Sequence, residues 1–181
     1  MKKKGILAAS VILLIALIIY SQKIYFPIEG TVIDAETGKP IEGAVVLAEW
    51  TITKGIGLTY TDIYRIVEAI TDKSGRFDTK VYVMNPFINK PELTIYKGGY
   101  VCWNNKFIFP SFKHRENFKW KSNTTYELEQ FKKEYSYKDH VIFLLGFLDT
   151  SVLVKNKDAF MRFLIFEESM ADKEPRSRGQ R

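Results

Sequence analysis

The stretch IEGTVIDAETGKPIEGAVVLA, residues 28–48, decides the fold class of this chain. Two apolar stretches flank the polar segment 34–40, in which Gly38 supplies a positive φ and Pro40 presets the exit from a turn. Polar and apolar residues alternate in the first stretch, and β-branched residues are dense in the second. The pattern predicts two β-strands, at 26–34 and 43–52, joined by a reversal of the chain.

Short apolar stretches separated by turn residues continue to residue 129. A long loop is expected at 53–62, which holds two glycines, and a tight turn at 72–76. About seven strands at this spacing are typical of an all-β sandwich. The strands expected after residue 52 are 63–71, 77–83, 92–96, 100–103, 106–109 and 124–129.

Helical spacing of apolar residues replaces the strand pattern after residue 133. It predicts one helix at 137–147 and another at 158–170, which form a hairpin over residues 132–170. The hairpin must bury its apolar stripes against a face of the sandwich, although Phe163 and Phe166 lie on the opposite side and could dock a partner. The polar segment 171–181 is predicted to be a disordered tail.

The first 23 residues form a separate region. Lys2, Lys3 and Lys4 precede an uncharged apolar stretch, the pattern of a secretory signal. No small-residue cleavage site follows, which favours an uncleaved signal anchor at 1–23 over a cleaved signal and a secreted protein. Since lysines stay in the cytoplasm, we expect a single-pass protein of the inner membrane. It would contact the membrane through residues 5–20 and place its C-terminal domain in the periplasm.

Composition restricts the classes of function. The net charge of +6 falls to +2 without residues 1–23, because 23 basic and 21 acidic residues remain, and this argues against a nucleic-acid partner. The single cysteine, Cys102, excludes an internal disulfide and a multi-cysteine zinc site. His114 and His140 lack the spacing of a catalytic zinc site, and His140 is expected to be a core histidine. No catalytic residue, metal ligand or cofactor is predicted.

Three motifs stand out in this part of the chain. The first is Gly30-Thr-Val32, followed by the turn at 34–38 and by Pro40-Ile-Glu-Gly-Ala-Val-Val46; the second is Thr71-Asp-Lys-Ser-Gly-Arg-Phe77; the third is Gly99-Tyr100. Together they resemble the motifs of the carboxypeptidase regulatory-like, or transthyretin-like, family. The resemblance covers roughly residues 24–130 and implies a domain at 24–131 with a seven-stranded Greek-key β-sandwich of the prealbumin type. Such domains usually serve as accessory or binding modules. The residues that carry the motifs are Gly30, Val32, Asp34, Gly38, Pro40, Gly43, Ala44, Asp72, Gly75, Phe77, Gly99 and Tyr100.

We therefore expect a membrane-anchored, extracytoplasmic, non-enzymatic binding or structural module of the cell envelope, whose partner is an unknown envelope protein or glycan. Two alternatives stay open: a carbohydrate-binding module that stacks sugars on Trp50, Trp103 and Trp120, and a small hydrolase with an unrecognised site.

Basic and aromatic residues interleave at 106–121, a pattern that suits contact with anionic lipid headgroups, sugars or nucleobases. The competing interpretation is a loop whose aromatic residues enter the core while its bases are solvated. The candidate interaction surface consists of Phe112, Lys113, Arg115, Phe118, Lys119, Trp120 and Lys121.

Overall fold

The structure is a computed structural model that describes residues 28–81, 88–121, 123–146 and 158–175. It is mainly β, with nine strands and two helices in those ranges. The strands are β1 (Glu29–Asp34), β2 (Val45–Lys54), β3 (Tyr60–Ile70), β4 (Arg76–Asp78), β5 (Glu92–Tyr96), β6 (Trp103–Asn104), β7 (Phe107–Ile108), β8 (Lys113–His114) and β9 (Thr124–Leu128). The helices are α1 (Tyr137–Leu145) and α2 (Asp158–Lys173).

Two sheets share one apolar core. The three-stranded sheet has the order β4-β1-β9, with β1 antiparallel to β4 and parallel to β9. The four-stranded sheet has the order β3-β2-β5-β6 and is antiparallel throughout. A separate ribbon pairs β7 with β8. The prediction of a mainly β chain followed by helices is confirmed.

The core between the two sheets is filled by every second residue of the strands. Val32 of β1, Phe77 of β4 and Tyr126 of β9 point into it from one side, and Trp50 of β2 and Ile95 of β5 from the other. All five are buried. Side chains alternate between the two faces of a strand, and burying each one of this size stabilises the fold by roughly 1.5–3 kcal/mol.

The helices cover the outer face of the four-stranded sheet and form a second core. Val45, Leu47 and Tyr96 point outward from the sheet and pack against Phe160 and Phe143 of the helices. β2 is therefore buried on both faces along its first four residues. This double burial is the physical reason for the continuous apolar sequence that begins β2.

The expected loop at 53–62 is wrong. The ladder between β2 and β3 continues to the pair Lys54–Tyr60, across a register shift at Trp50 and Thr51. The Lys54 ammonium also lies 2.7 Å from the Asp62 carboxylate across the two strands. β-Branched residues on both strands sustain pairing far beyond the core, so the connection is a protruding hairpin with a short tip.

Two other strands differ from the prediction at their ends. Pairing of β4 stops at Asp78, and Lys80 adopts a φ of 52°. The inward positions Thr79 and Val81 are nevertheless buried as expected, while residues 82–87 lie outside the described ranges. The strand expected at 100–103 begins only at Trp103, because the amide of Val101 donates to the Glu129 carbonyl instead of a sheet neighbour.

The start predicted for the disordered tail at 171–181 lies too early in the sequence. α2 continues to Lys173, and Ala171 is buried. The Glu174 carboxylate accepts hydrogen bonds from the Ser136 hydroxyl, at 3.0 Å, and from the Tyr137 amide at the start of α1. A carboxylate is favourable at the N-terminal end of a helix, so this contact orders the end of α2. Residues 176–181 lie outside the described ranges.

The predicted location of the chain is contradicted. In the part of the chain that the structure describes, no helix has the length and apolar character needed to cross a membrane. This finding overturns the expectation of a single-pass protein of the inner membrane with a periplasmic domain. Residues 1–23, on which the signal-anchor prediction and the membrane contact through residues 5–20 fall, lie outside the described ranges.

The parallel contact between β1 and β9 requires a glycine at position 30. A Cβ at this position would lie 2.5 Å from the Thr124 carbonyl oxygen and 2.6 Å from the Tyr126 ring. Gly30→Ala should lower the free energy of unfolding by about 1–3 kcal/mol, the usual cost of overpacking. Urea denaturation measures it. Thr31→Ala, on the opposite face of the strand, should cost less than about 1 kcal/mol, and an equal loss in both variants would contradict the steric explanation.

Candidate functional site

A chain of buried polar groups joins the two helices to the four-stranded sheet. The Glu167 carboxyl of α2 accepts a hydrogen bond from the Tyr96 hydroxyl of β5 through one oxygen. Its other oxygen lies 2.9 Å from Nδ1 of His140 on α1. His140 Nε2 in turn accepts the Cys102 amide at 2.9 Å. The carboxyl group therefore joins β5 to both helices, and His140 extends the network to the backbone at Cys102.

The hydrogen bonds determine the tautomer of His140. Because Nε2 accepts from a backbone amide, it carries no proton, and Nδ1 is the nitrogen that donates to Glu167. Every polar atom of the His140 ring and both oxygens of Glu167 are therefore used inside the protein. His140 and Glu167 are both 0% exposed. The expectation that His140 is a core histidine is confirmed.

Burial also makes the nearby nucleophiles unreactive. Desolvation and the negative charge of Glu167 raise the pKa of the Tyr96 hydroxyl far above its ordinary value. The same two causes raise the pKa of the Cys102 thiol, which is buried. A thiol needs its thiolate form to attack a substrate, so Cys102 stays a small core residue. The network has the residue types of a catalytic site but is closed to solvent.

The Asp34 carboxylate closes the turn between β1 and β2. Its Oδ1 accepts the amides of Glu36 and Thr37 at 2.9 and 2.7 Å. Its Oδ2 accepts the Gln130 side-chain amide at 2.8 Å and the Tyr100 hydroxyl at 3.0 Å. These bonds, led by that from Gln130, hold the pKa of Asp34 well below its usual value. Two of the resembled motifs thus meet in this cluster, because Asp34 and Tyr100 are hydrogen-bonded.

The other motif residues have structural positions. Asp72 accepts the amides of Ser74 and Arg76 and closes the turn before β4. Val32 and Ala44 are 0% exposed, Phe77 packs on Tyr126, and Pro40 bridges to Ile33. The motif glycines with positive φ are Gly38, Gly43, Gly75 and Gly99.

The candidate surface at 106–121 divides into two parts. Its bases Lys113, Lys119 and Lys121 are exposed, whereas Phe118 and Trp120 are partly buried against the core. Phe112 is 42% exposed and touches Phe143. The interpretation as a loop with inward aromatic residues and solvated bases accounts for most of these positions.

Arg115 borders a shallow pocket of about 360 Å³ on this side of the molecule. Its guanidinium lies 4.8 Å from the centre of the Trp103 ring, and its Nε donates to the Asn104 carbonyl at 2.9 Å. Partial burial lowers its pKa. Glu127 and Glu129 line the same pocket. The guanidinium covers Trp103, which reduces the ring area that a sugar could stack on.

The tip of the β2–β3 hairpin is an exposed apolar surface that the sequence did not reveal. Ile56 is 103% exposed and Leu58 is 93% exposed. Gly55 and Gly57 hold the tip with φ values of 102° and 84°. A Cβ on Gly55 would lie 2.2 Å from the Leu58 carbonyl oxygen, so the tight tip needs glycine there. We call residues 55–58 the tip.

An apolar groove of about 580 Å³ lies at the other end of the same two strands. Val45 at the start of β2 and Ile70 at the end of β3 form one wall. Phe163 and Phe166 of α2 form the other, with Arg162 beside them. Ile70 is 53% and Phe166 is 42% exposed. We call this feature the α2 groove. Phe166 faces outward as the sequence predicted, but Phe163, expected on the same side, packs edge-on against Tyr96. The sequence did not indicate the sheet wall.

No family model, curated protein or solved structure matches this chain. The resemblance to the carboxypeptidase regulatory-like family therefore stays a prediction. A metal-binding group of three or more His, Cys, Asp or Glu side chains is also absent from the residues that the structure describes.

Removal of the Glu167 carboxyl should destabilise the protein strongly. Glu167→Leu leaves the Tyr96 hydroxyl and His140 Nδ1 buried without a partner, at roughly 1–3 kcal/mol for each group. We expect a loss of about 2–5 kcal/mol in urea denaturation. Glu168→Leu is the matched control, because Glu168 is exposed on the same helix, and it should change stability by less than about 0.5 kcal/mol. Similar losses in the two variants would contradict the role of the network.

The depressed pKa of Asp34 predicts a pH-dependent contribution to stability. A carboxylate with a lowered folded pKa stabilises the fold above its unfolded pKa, roughly 3.9, and loses this contribution as pH falls toward the folded pKa. The stability difference between wild type and Asp34→Asn should be constant near neutrality and shrink below about pH 4. Denaturation curves across this range test it. Tyr100→Phe removes one donor and should give a smaller effect of the same shape; a difference that does not depend on pH would refute the prediction.

Proposed function

We propose that this chain is a non-enzymatic interaction module, with a binding or structural role, whose contact surface is the β2–β3 hairpin. The observation that carries the proposal is the concentration of exposed apolar side chains there. Four of the ten exposed large apolar residues in the described ranges lie between positions 56 and 64, at the tip and on the adjoining part of β3. Soluble chains rarely leave such residues clustered unless a partner covers them.

The buried polar network supports the absence of enzymatic activity. A catalytic group must reach its substrate, and a general base needs a free position toward the proton that it removes. In the Tyr96–Glu167–His140 network the hydroxyl, both carboxyl oxygens and both ring nitrogens already have hydrogen-bond partners inside the protein. His140 and Glu167 also have no exposed surface. The network therefore serves the fold, which counts against the small-hydrolase alternative.

We also propose that the sheets form the seven-stranded Greek-key sandwich of the carboxypeptidase regulatory-like type. The three- and four-stranded sheets together hold seven strands around a shared core. The motif residues Asp34 and Tyr100 meet through a hydrogen bond at one end of it. Both features fit the resemblance, which implies an accessory or binding role.

The carbohydrate alternative loses support from the positions of the tryptophans. Trp50 is 1% exposed and presents no face to a sugar. Trp103 is stacked under Arg115 and packed against Phe118 and Tyr126. Trp120 is partly buried beside Phe118. A sugar platform of three rings is therefore not formed, and the basic surface at 106–121 is proposed only as a secondary contact.

The hairpin proposal predicts that the tip binds a partner without supporting the fold. Leu58→Asp should leave the melting temperature within about 2 °C of wild type, because a fully exposed side chain contributes little to stability. A photo-crosslinking amino acid at position 58 of the full-length chain should capture a discrete partner. The same probe at Lys133, an exposed residue outside the hairpin, is the control. Equal capture at the two positions would overturn the proposal.

A further inference from the structure

We propose that the tip of one chain inserts into the α2 groove of a second copy, so that the protein associates head to tail. This inference rests on the proposed function and names the partner of the hairpin. It is carried by two complementary surfaces of one chain: a projecting apolar tip and an apolar groove. Their positions on the strands determine whether a tip can reach the groove of its own chain or only that of another copy.

The tip and the groove lie at opposite ends of the β2–β3 pair. The groove begins at Val45 and Ile70, and the tip follows Lys54, the last residue of β2. The ten residues of β2 span roughly 30 Å at about 3.3 Å per residue. A chain therefore cannot fill its own groove. The tip of one copy can fill the groove of the next, and that contact leaves a free tip and a free groove at the ends.

The two surfaces also match in shape and size. The glycines hold the tip in a tight bend, so Ile56 and Leu58 project beyond the last ladder pair, Lys54–Tyr60. The groove volume of about 580 Å³ falls within the roughly 300–1,000 Å³ of pockets that enclose ligand-sized groups. Two apolar side chains and the bend between them are of this scale.

The polar groups of the two surfaces are also compatible in this orientation. Residues 55–61 carry no ionisable acid or base except the Tyr60 phenol, and the nearest charges, Lys54 and Asp62, are paired with each other at 2.7 Å. The residues that line the groove are apolar apart from the exposed Arg162, and the Lys97 ammonium lies beside two of them, 5.9 Å from the centre of the Phe163 ring and 3.5 Å from the Gly43 carbonyl oxygen. Tip carbonyl groups lie beyond the β2–β3 ladder and are natural acceptors for this guanidinium. No like charges oppose each other across the contact.

The small size of the contact predicts weak association. A tip of two side chains buries much less than the roughly 1,200–2,000 Å² of stable specific complexes. We therefore expect a dissociation constant on the order of 100 μM. A head-to-tail contact joins two different surfaces, so it extends into chains rather than stopping at a symmetric dimer.

The test is analytical ultracentrifugation of the full-length chain from about 20 μM to about 1 mM, across the expected range. The wild-type average mass should rise with concentration beyond that of a dimer. Leu58→Asp, which removes the tip, and Phe166→Asp, which blocks the groove, should each stay monomeric. Ile165→Asp is the matched control, because Ile165 is 58% exposed on the same helix but lies outside the groove, and it should associate like wild type.

Mixing the two defective variants gives the sharpest result. The Phe166→Asp chain keeps its tip and the Leu58→Asp chain keeps its groove, so an equimolar mixture should form a dimer and nothing larger. Ile70→Asp is a second groove variant with the same expected behaviour if Phe166→Asp does not fold. A mixture that stays monomeric while wild type associates would overturn the inference, as would association that neither tip nor groove variants reduce.

Two outcomes separate this inference from the proposed function. If wild type stays monomeric to about 1 mM while the probe at position 58 captures a different protein, the hairpin is a contact surface but its partner is not a second copy. If vesicles of anionic lipid bind the monomer through Leu58, the occupant is a bilayer and the inference again fails. If the chain stays monomeric and the probe captures nothing more than the Lys133 control, both proposals fail.

Discussion

The Glu167 carboxyl is the point on which the arrangement of helices and sheet depends. It receives hydrogen bonds from Tyr96 on β5 and His140 on α1, and His140 passes the connection to the Cys102 amide. A buried carboxyl is costly unless such partners satisfy it, so the helices have one position in which the network is complete. Apolar packing alone would hold the same helices against the sheet with less directional preference.

This arrangement also determines where function can reside. Because the helices cover the outer face of β2 and β5, the best-formed polar cluster is closed, and the surface is left to carry any interaction. The same docking creates the α2 groove, since Phe163 and Phe166 stand beside the ends of β2 and β3. The same docking of the helices thus both closes the polar network and forms the apolar groove.

Much of the fold was predictable because it follows from local physics. Alternation placed Val32 and Tyr126 in the core, and the turn at 72–76 formed where Asp72 and Gly75 required it. Periodicity could not show that Glu167 meets His140, 27 residues away, because a charged residue on a helix is normally a solvated one. The extension of β2 and β3 into a hairpin was hidden by Gly55 and Gly57, whose usual meaning is a loop.

The tip departs from the alternation that the central strands β2 and β5 follow. Large apolar residues of β2 and β5 point into one of the two cores, whereas Ile56 and Leu58 are extended into solvent by a bend that requires glycine. Exposed apolar side chains on a long hairpin invite non-specific aggregation, and glycine in such a bend adds a cost in conformational entropy. Sequences tend to break such rules at functional sites, where another surface compensates the cost. A flexible polar loop would join β2 to β3 equally well, so we attribute the constraint at the tip to the contact that we propose for it.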